Sequence, residues 1–545
     1  MKNIFLLVLI MTCFASFSQN KPISTPAKPK LIVGIVVDQM RWDYLYRYAE
    51  KYGLTGFKRL QTGYNCENTH IPYVPSYTAP GHTCIYTGSV PALHGIVGND
   101  WYDRDKHRRV YCAEDSTCHT VGATGDAGQM SPRNMLTTTV TDELRIASNF
   151  HSKVIGIAIK DRSALLPAGH AANGAYWFDG KSGNWISSSY YADSLPQWVN
   201  TFNSQKIPVK YLKDNWNTIQ NISAYTESSE DDNAYEKTFS KESKPTFPHK
   251  VSEMTEKNVD VIKSTPWGNT LTFDFAKSAI DGEKFGKGSY TDFLTISFSS
   301  TDYIGHQFGP NSVEVEDCYI RFDKDLGDFL SYLDKEIGAG NYLVFLTADH
   351  GAAHANGFSA EHHIPGGDMP DADLISQVNK QFKSLWNIDS MVENFDNMQF
   401  YLKQRYGNDQ LVDMKIANDI IAHTLKADVR NSVKYAIDLR TINTETLPST
   451  IKDPILNGYN PKRSGDIQIV YEPAVLEDRA KGTTHGSLYN YDTHIPLLWY
   501  GWGVKAGHDY SQTYMTDIAA TLSALLHIQE PNGSIGRPIV DLLKK

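Results

Sequence analysis

The sequence predicts an α/β protein: a mainly parallel central sheet flanked by helices on both faces, with two large insertions. Three observations carry this. Uninterrupted apolar runs, many rich in β-branched residues, recur at 31–37 (LIVGIVV), 153–159 (KVIGIAI), 292–299 (DFLTISFS), 342–347 (YLVFLT) and 495–500 (IPLLWY), the signature of strands buried on both faces. Stretches of helical period stand between them. The chain of 545 residues is 41% hydrophobic, enough to cover such a sheet on both sides.

Residues 1–18 read as a secretory signal: Lys2, an apolar run from Ile4 to Phe14, and Ser16-Phe17-Ser18 as a small-x-small cleavage site. The run is too short for a stable bilayer anchor, and Met-Thr before Cys13 fits a lipoprotein site poorly. Residues 19–30 are a polar, Pro/Lys-rich tether. No later segment is apolar enough to span a membrane, so a periplasmic or secreted protein without stable membrane insertion is expected. The charge balance, 52 − 62 = −10, speaks against nucleic acid as a specific partner. It leaves anionic substrates open, because a bound cation inverts the local field. Without Cys13 the chain keeps Cys66, Cys84, Cys112, Cys118 and Cys318, an odd number for an oxidising compartment. Spacing suggests the pairs Cys112–Cys118 and Cys66–Cys84.

The first apolar run ends at Asp38, where open α/β sheets gather ligands; a helix or turn cap explains that aspartate equally well. A helix is expected from Tyr44 to Gln61. Then comes IPYVPSYTAPGHTCIYTG, residues 71–88. Pro75 and Pro80 hold the residues before them extended, Gly81 admits a close backbone, and the apolar residues from Cys84 onward indicate a helix. That places Thr78 at a helix N-terminus, where an anion is favoured. Asn99 lies in the turn-rich segment 95–103, and residues 135–147 read as a helix. Lys160 and Arg162 follow the second strand, close enough together to reach one anion. Residues 170–285 are read as an insertion, with a helix at 270–280 returning to the sheet. The third strand leads to Asp302 and His306, side by side on one helical turn. Tyr319, Phe322, Leu326, Phe329 and Leu333 mark one face of a long helix. The fourth strand ends at Asp349 and His350. A second insertion, 352–480, carries a helix at 416–425 and a strand at 466–471. It precedes His485, the last strand and a closing helix at 517–526.

Asp38, Asp302, His306, Asp349, His350 and His485 are metal-type ligands gathered at strand ends and in one glycine-flanked loop. Carboxylate and imidazole together suit zinc, and six ligands suit two ions with open positions.

On VVDQ at Asp38, SYTAPGHT at Thr78, GNDWY at Asn99, IKDRS at Lys160 and Arg162, STDYIGH at Asp302 and His306, TADHG at Asp349 and His350, and THGS at His485, the chain resembles the alkaline phosphatase superfamily. The pieces fall in the family's order from residue 31 to near the C-terminus. The resemblance implies an alkaline phosphatase-like catalytic domain over 31–545. It implies two Zn2+ per chain, one held by Asp302, His306 and His485, the other by Asp38, Asp349 and His350. It makes Thr78 a metal-bound nucleophile forming a phosphothreonine intermediate, with Asn99, Lys160 and Arg162 on the nonbridging oxygens. Lys160 would stand where another branch of the family places a third metal. The expected activity is phosphomonoester hydrolysis of broad specificity, by a monomer acting on small molecules. Two cations beside the phosphate suit a dianionic monoester; the alternative is a nucleotide phosphodiesterase or pyrophosphatase. A non-catalytic metal-binding or adhesion module is a further alternative. Sulfatase chemistry is disfavoured, for no Cys/Ser-x-Pro-x-Arg segment surrounds Thr78. His82, His94 and His494 are expected to orient loops or to support the ligand residues from behind, and His362–His363 to be a solvated loop pair.

Overall fold

The computed structural model describes residues 28–254, 259–369, 374–407, 410–427, 432–477 and 481–544. The expected signal, and all of the tether before residue 28, lie outside them. In chain order the principal strands are β1 (Leu31–Val37), β2 (Tyr64–His70), β3 (Asp100–Asp103), β4 (Arg108–Tyr111), β5 (Thr120–Val121), β6 (Val154–Ala158), β7 (Gly174–Asp179), β8 (Asn184–Ser188), β9 (Asp292–Phe298), β10 (Tyr342–Thr347) and β11 (His494–Gly501). The principal helices are α1 (Thr78–Thr87), α2 (Val140–Ala147), α3 (Asp161–Ala168), α4 (Trp267–Glu283), α5 (Ser300–Phe308), α6 (Val313–Leu333) and α7 (Asp517–Leu526).

An eleven-stranded sheet crosses the molecule in the order Gly507–Asp509, β2, β11, β10, β1, β9, β6, β7, β8, β5, with Thr513–Tyr514 also pairing β2. Strands β10, β1, β9, β6 and β7 are parallel. β1, β9 and β10 are buried along their whole length, as a sheet covered on both faces requires. β11 runs antiparallel to both β10 and β2. Its composition reports burial on two faces and carries no sign of direction.

Local chemistry explains where boundaries differ from expectation. The stretch 44–61 is not one helix. It is helical at Tyr44–Arg47 and Phe57–Gln61 with a 3₁₀ turn at Ala49–Lys51. The carboxylate of Asp323 on α6 accepts the N–H groups of Gly53 and Phe57 at 2.8 and 2.7 Å, and a Cβ at Gly56 would meet the Asp323 carbonyl at 2.2 Å. The loop between the short helices is therefore seated on α6. α2 starts at Val140, later than expected, because Thr139 and Asp142 form a reciprocal capping box. α1 starts at Thr78, with Pro80 in its first turn. Ala79 is thus helical and not extended; the missing N–H of Pro80 is one a helix start leaves unpaired anyway.

Within 170–285, β7 and β8 extend the main sheet and α4 packs against α6 and β9. The stretch 352–480 builds a second, antiparallel four-stranded sheet in the order Val392–Asp396, Gln399–Leu402, Ile467–Tyr471, Val433–Asp438. Helices Leu374–Trp386 and Met414–Ala427 cover it around a separate core that includes Val378, Phe382, Phe400, Ile421 and Ile467. Neither expected disulfide is formed: Cys66, Cys84, Cys112, Cys118 and Cys318 are all buried free thiols. Spacing put the members of each pair near in sequence, but nearness in sequence does not by itself bring two sulfurs into the narrow geometry a disulfide needs. No helix among the described residues is long and apolar enough to cross a membrane.

Candidate active site

Register brings the site together. Val36 of β1 pairs with Thr347 of β10, Val37 with Phe298 of β9, and Ala158 of β6 with Ser297. The carboxyl ends of four strands therefore finish at one edge, and Asp38, Asp302, Lys160 and Asp349 follow them there. Thr301 fastens α5 to β1 by donating to the carbonyl of Asp38 at 2.6 Å.

Two groups of buried side chains could each hold an ion: Asp38, Asp349 and His350, and Asp302, His350 and His485, with ligand atoms inside 4.8 Å of one another in each. The first is one of the two trios implied by the resemblance. In the second, His350 stands where His306 was expected. His306 lies beside it, with Nε2 3.2 Å from Asp302 Oδ1 and its ring 5.2 Å from that of His485. The rings of His350 and His485 stack at 3.4 Å.

The imidazoles are oriented alike. Nδ1 of His306, His350 and His485 lies 2.8, 3.0 and 2.8 Å from the carbonyls of Thr483, Gly351 and Ser76. A carbonyl accepts only, so each Nδ1 carries the proton and each Nε2 turns its lone pair inward. Burial holds His485 and His350 below the ordinary histidine range, which also favours the neutral ligand form. Three buried carboxylates face one buried ammonium: Lys160 Nζ donates to Asp38 Oδ2 at 2.7 Å and to Asp302 Oδ2 at 2.6 Å. Burial alone would lower the pKa of Lys160, but Asp302 and Asp38 more than offset it. Burial and the neighbouring Asp349 push Asp38 well above the carboxylate range. Asp38 Oδ1 and Asp349 Oδ2 are buried without a hydrogen-bond partner. Residual negative charge, orphaned oxygens and neutral imidazoles are the donor set that divalent cations fit.

Thr78, the first residue of α1 and 1% exposed, points Oγ1 at His350 Nε2 across 3.4 Å. α1 lies hard against the end of β10, since a Cβ at Gly81 would meet the Asp349 carbonyl at 2.6 Å. One turn along, His82 sits with Nδ1 2.9 Å from the Thr78 carbonyl and 3.3 Å from Asp349 Oδ2, and Nε2 2.7 Å from Ser297 Oγ. Asn99 accepts the Ala79 N–H on Oδ1 at 3.0 Å, which turns its amide nitrogen the other way. Arg162 donates from Nη1 to the Tyr111 hydroxyl at 3.2 Å, and its Nε is buried without a partner.

Three side chains that hydrogen-bond to the site residues or to their loops escaped the sequence reading. Gln39 donates its backbone N–H to Asp349 Oδ1 and its side-chain amide to Asp302 Oδ1, at 3.2 and 2.8 Å, from a backbone at φ 65°. The available signal was Gly305, where a Cβ would meet Gln39 Oε1 at 1.9 Å. Asp492 shapes the His485 loop by accepting from Gly486 N, Ser487 N and Ser487 Oγ at 3.1, 2.8 and 2.6 Å. Tyr111 is the third. Of the other histidines, His94 accepts the Ile96 N–H and His494 approaches the Glu67 carbonyl. His362 and His363 are exposed, and neither joins a metal-capable group among the described residues.

The profile of the family described as type I phosphodiesterase / nucleotide pyrophosphatase matches residues 32–493. Alkaline phosphatase PhoV of Synechococcus elongatus is 50% identical, over 95% of this chain and 94% of its own. Alkaline phosphatase PafA of Elizabethkingia meningoseptica is 49% identical, over 95% of each chain. The crystal structure of wild-type PafA superposes with a TM-score of 0.92 at 48% identity, covering 95% of this chain and 99% of that one.

Proposed function

The chain belongs to the type I phosphodiesterase / nucleotide pyrophosphatase family of the alkaline phosphatase superfamily, and from that premise we propose an exported, zinc-dependent alkaline phosphatase that hydrolyses phosphate monoesters through a phosphothreonine. One observation carries the reading. Thr78 Oγ1 lies 3.4 Å from Nε2 of His350, the imidazole shared by both metal-capable groups.

Asp38, Asp349 and His350 would hold one zinc, and Asp302, His306 and His485 the other. When bound, the two ions supply Lewis-acid charge that eases ionisation of the threonine hydroxyl and departure of the leaving oxygen. Thr78 Oγ, its proton lost to solvent, attacks phosphorus in line; the ester P–O bond breaks, and the leaving oxygen takes up a proton from solvent and departs as the alcohol. Water then attacks the phosphothreonine, inorganic phosphate leaves, and Thr78 recovers its proton. The Asn99 amide and the Arg162 guanidinium face the nonbridging oxygens, where charge is held throughout the transfer. Lys160, clasped by Asp38 and Asp302, adds fixed positive charge where a third metal would otherwise stand. Residues 31–545 act as one catalytic unit, with 352–480 as an inserted lobe.

Thr78→Ala is expected to keep fold and zinc while losing turnover by about three orders of magnitude or more. Metal content and single-turnover hydrolysis of an aryl phosphate check both halves, and near-normal rates remove Thr78 as nucleophile. Hydrolysis of the same aryl phosphate should outrun that of its methyl diester. The reverse order would make the protein a phosphodiesterase, and zinc binding without either hydrolysis a non-catalytic module.

A further inference from the structure

The hairpin of β3 and β4 pairs from Asp100 opposite Tyr111 to Asp103 opposite Arg108, and the Cys112 N–H closes its neck on the Asn99 carbonyl at 2.9 Å. Asn99 and Tyr111 therefore stand at the same end of one ladder. Asn99 reaches the first turn of α1, whereas Tyr111 reaches the first turn of α3. The Tyr111 hydroxyl donates to Asp161 Oδ1 and accepts from Arg162 Nη1. Among the described residues no ion pair joins the side chains of Asp161 and Arg162, although they are neighbours in sequence. The phenol stands between them.

We propose that Tyr111 is a positioning residue: its hydroxyl, locked by Asp161, anchors one edge of the Arg162 guanidinium and keeps that cation from collapsing onto the adjacent carboxylate. The remaining N–H groups, including the unpartnered Nε, are thereby left for the nonbridging oxygens of a monoester. This rests on the reading of Arg162 as a phosphate contact given above. A hydroxyl fixed as both donor and acceptor defines the direction of the guanidinium, which a bare ring cannot do. Without it, Arg162 swings toward Asp161 and pairs with it.

The test compares Tyr111→Phe, Arg162→Ala and the double variant of the zinc-loaded enzyme. The readouts are kcat/KM for an aryl phosphate and for its methyl diester, the inhibition constant of inorganic phosphate, and the thermal midpoint. Tyr111→Phe should lower monoester kcat/KM about tenfold and weaken phosphate inhibition in parallel, since misplacing a charged contact costs at least that much. Diester hydrolysis and the midpoint should change little. In the Arg162→Ala background the same substitution should have no further effect. Equal losses from Tyr111→Phe in both backgrounds, or an unimpaired Tyr111→Phe beside an impaired Arg162→Ala, overturn the inference alone. A full-rate Arg162→Ala enzyme overturns the reading of Arg162 as a phosphate contact and this inference with it.

Discussion

Lys160 and Arg162 are two residues apart and are held in opposite ways. Lys160 is bound to Asp38 and Asp302; Arg162 keeps a buried Nε with no partner. Replacing both by alanine should cut monoester hydrolysis far more than diester hydrolysis, and equal losses in a paired assay would remove the electrostatic case for monoesters. The residues of the two metal-capable groups were legible in the sequence because each follows a buried apolar run or lies in a glycine-flanked loop, so chemistry and position coincide there. Gln39, Tyr111 and Asp492 were not. They act on a second side chain or on a loop, and nothing in their own spacing marks the partner. Only the glycine opposite Gln39 hinted at the close approach.

At the scale of elements, α6 carries more than the apolar face its periodicity announced. Its first turn presents Glu314 to His249, with Nε2 2.9 Å from Glu314 Oε1 and Nδ1 3.0 Å from Glu242 Oε2. Burial alone would lower the pKa of His249, but Glu242 and Glu314 raise it from 6.5 to about 9. The protonated ring thus stabilises the fold below about pH 6.5, and that contribution fades as pH rises through about 9. His249→Gln should lower the unfolding midpoint most at pH 6 and flatten its dependence between pH 6.5 and 9, a pattern that thermal melts across that range would show. Helix α6 was legible because its apolar spacing is long and regular. The break in the 44–61 stretch was not, because a distant carboxylate, Asp323, decides it. The direction of β11 was equally hidden, since burial on both faces looks the same in either sense.

For the molecule as a whole, three buried aspartates around one lysine set the charge that bound cations must balance. Exhaustive chelation should abolish hydrolysis and also lower the unfolding midpoint, with both restored by zinc; an enzyme that stays fully active after chelation would end the two-metal reading. The main sheet was readable from its repeated apolar runs. The second core within 352–480 was less so, because its short antiparallel strands depend on partners far apart in sequence, such as Gln399 and Gln468.

The five separate thiols bear on how the protein can be made and handled. No covalent bridge among the described residues has to form for the chain to reach this structure, so folding calls for neither a disulfide-forming oxidant nor a disulfide isomerase. Millimolar dithiothreitol should leave the melting curve where it was, and synthesis in a reducing cytosol followed by zinc loading should yield the same enzyme.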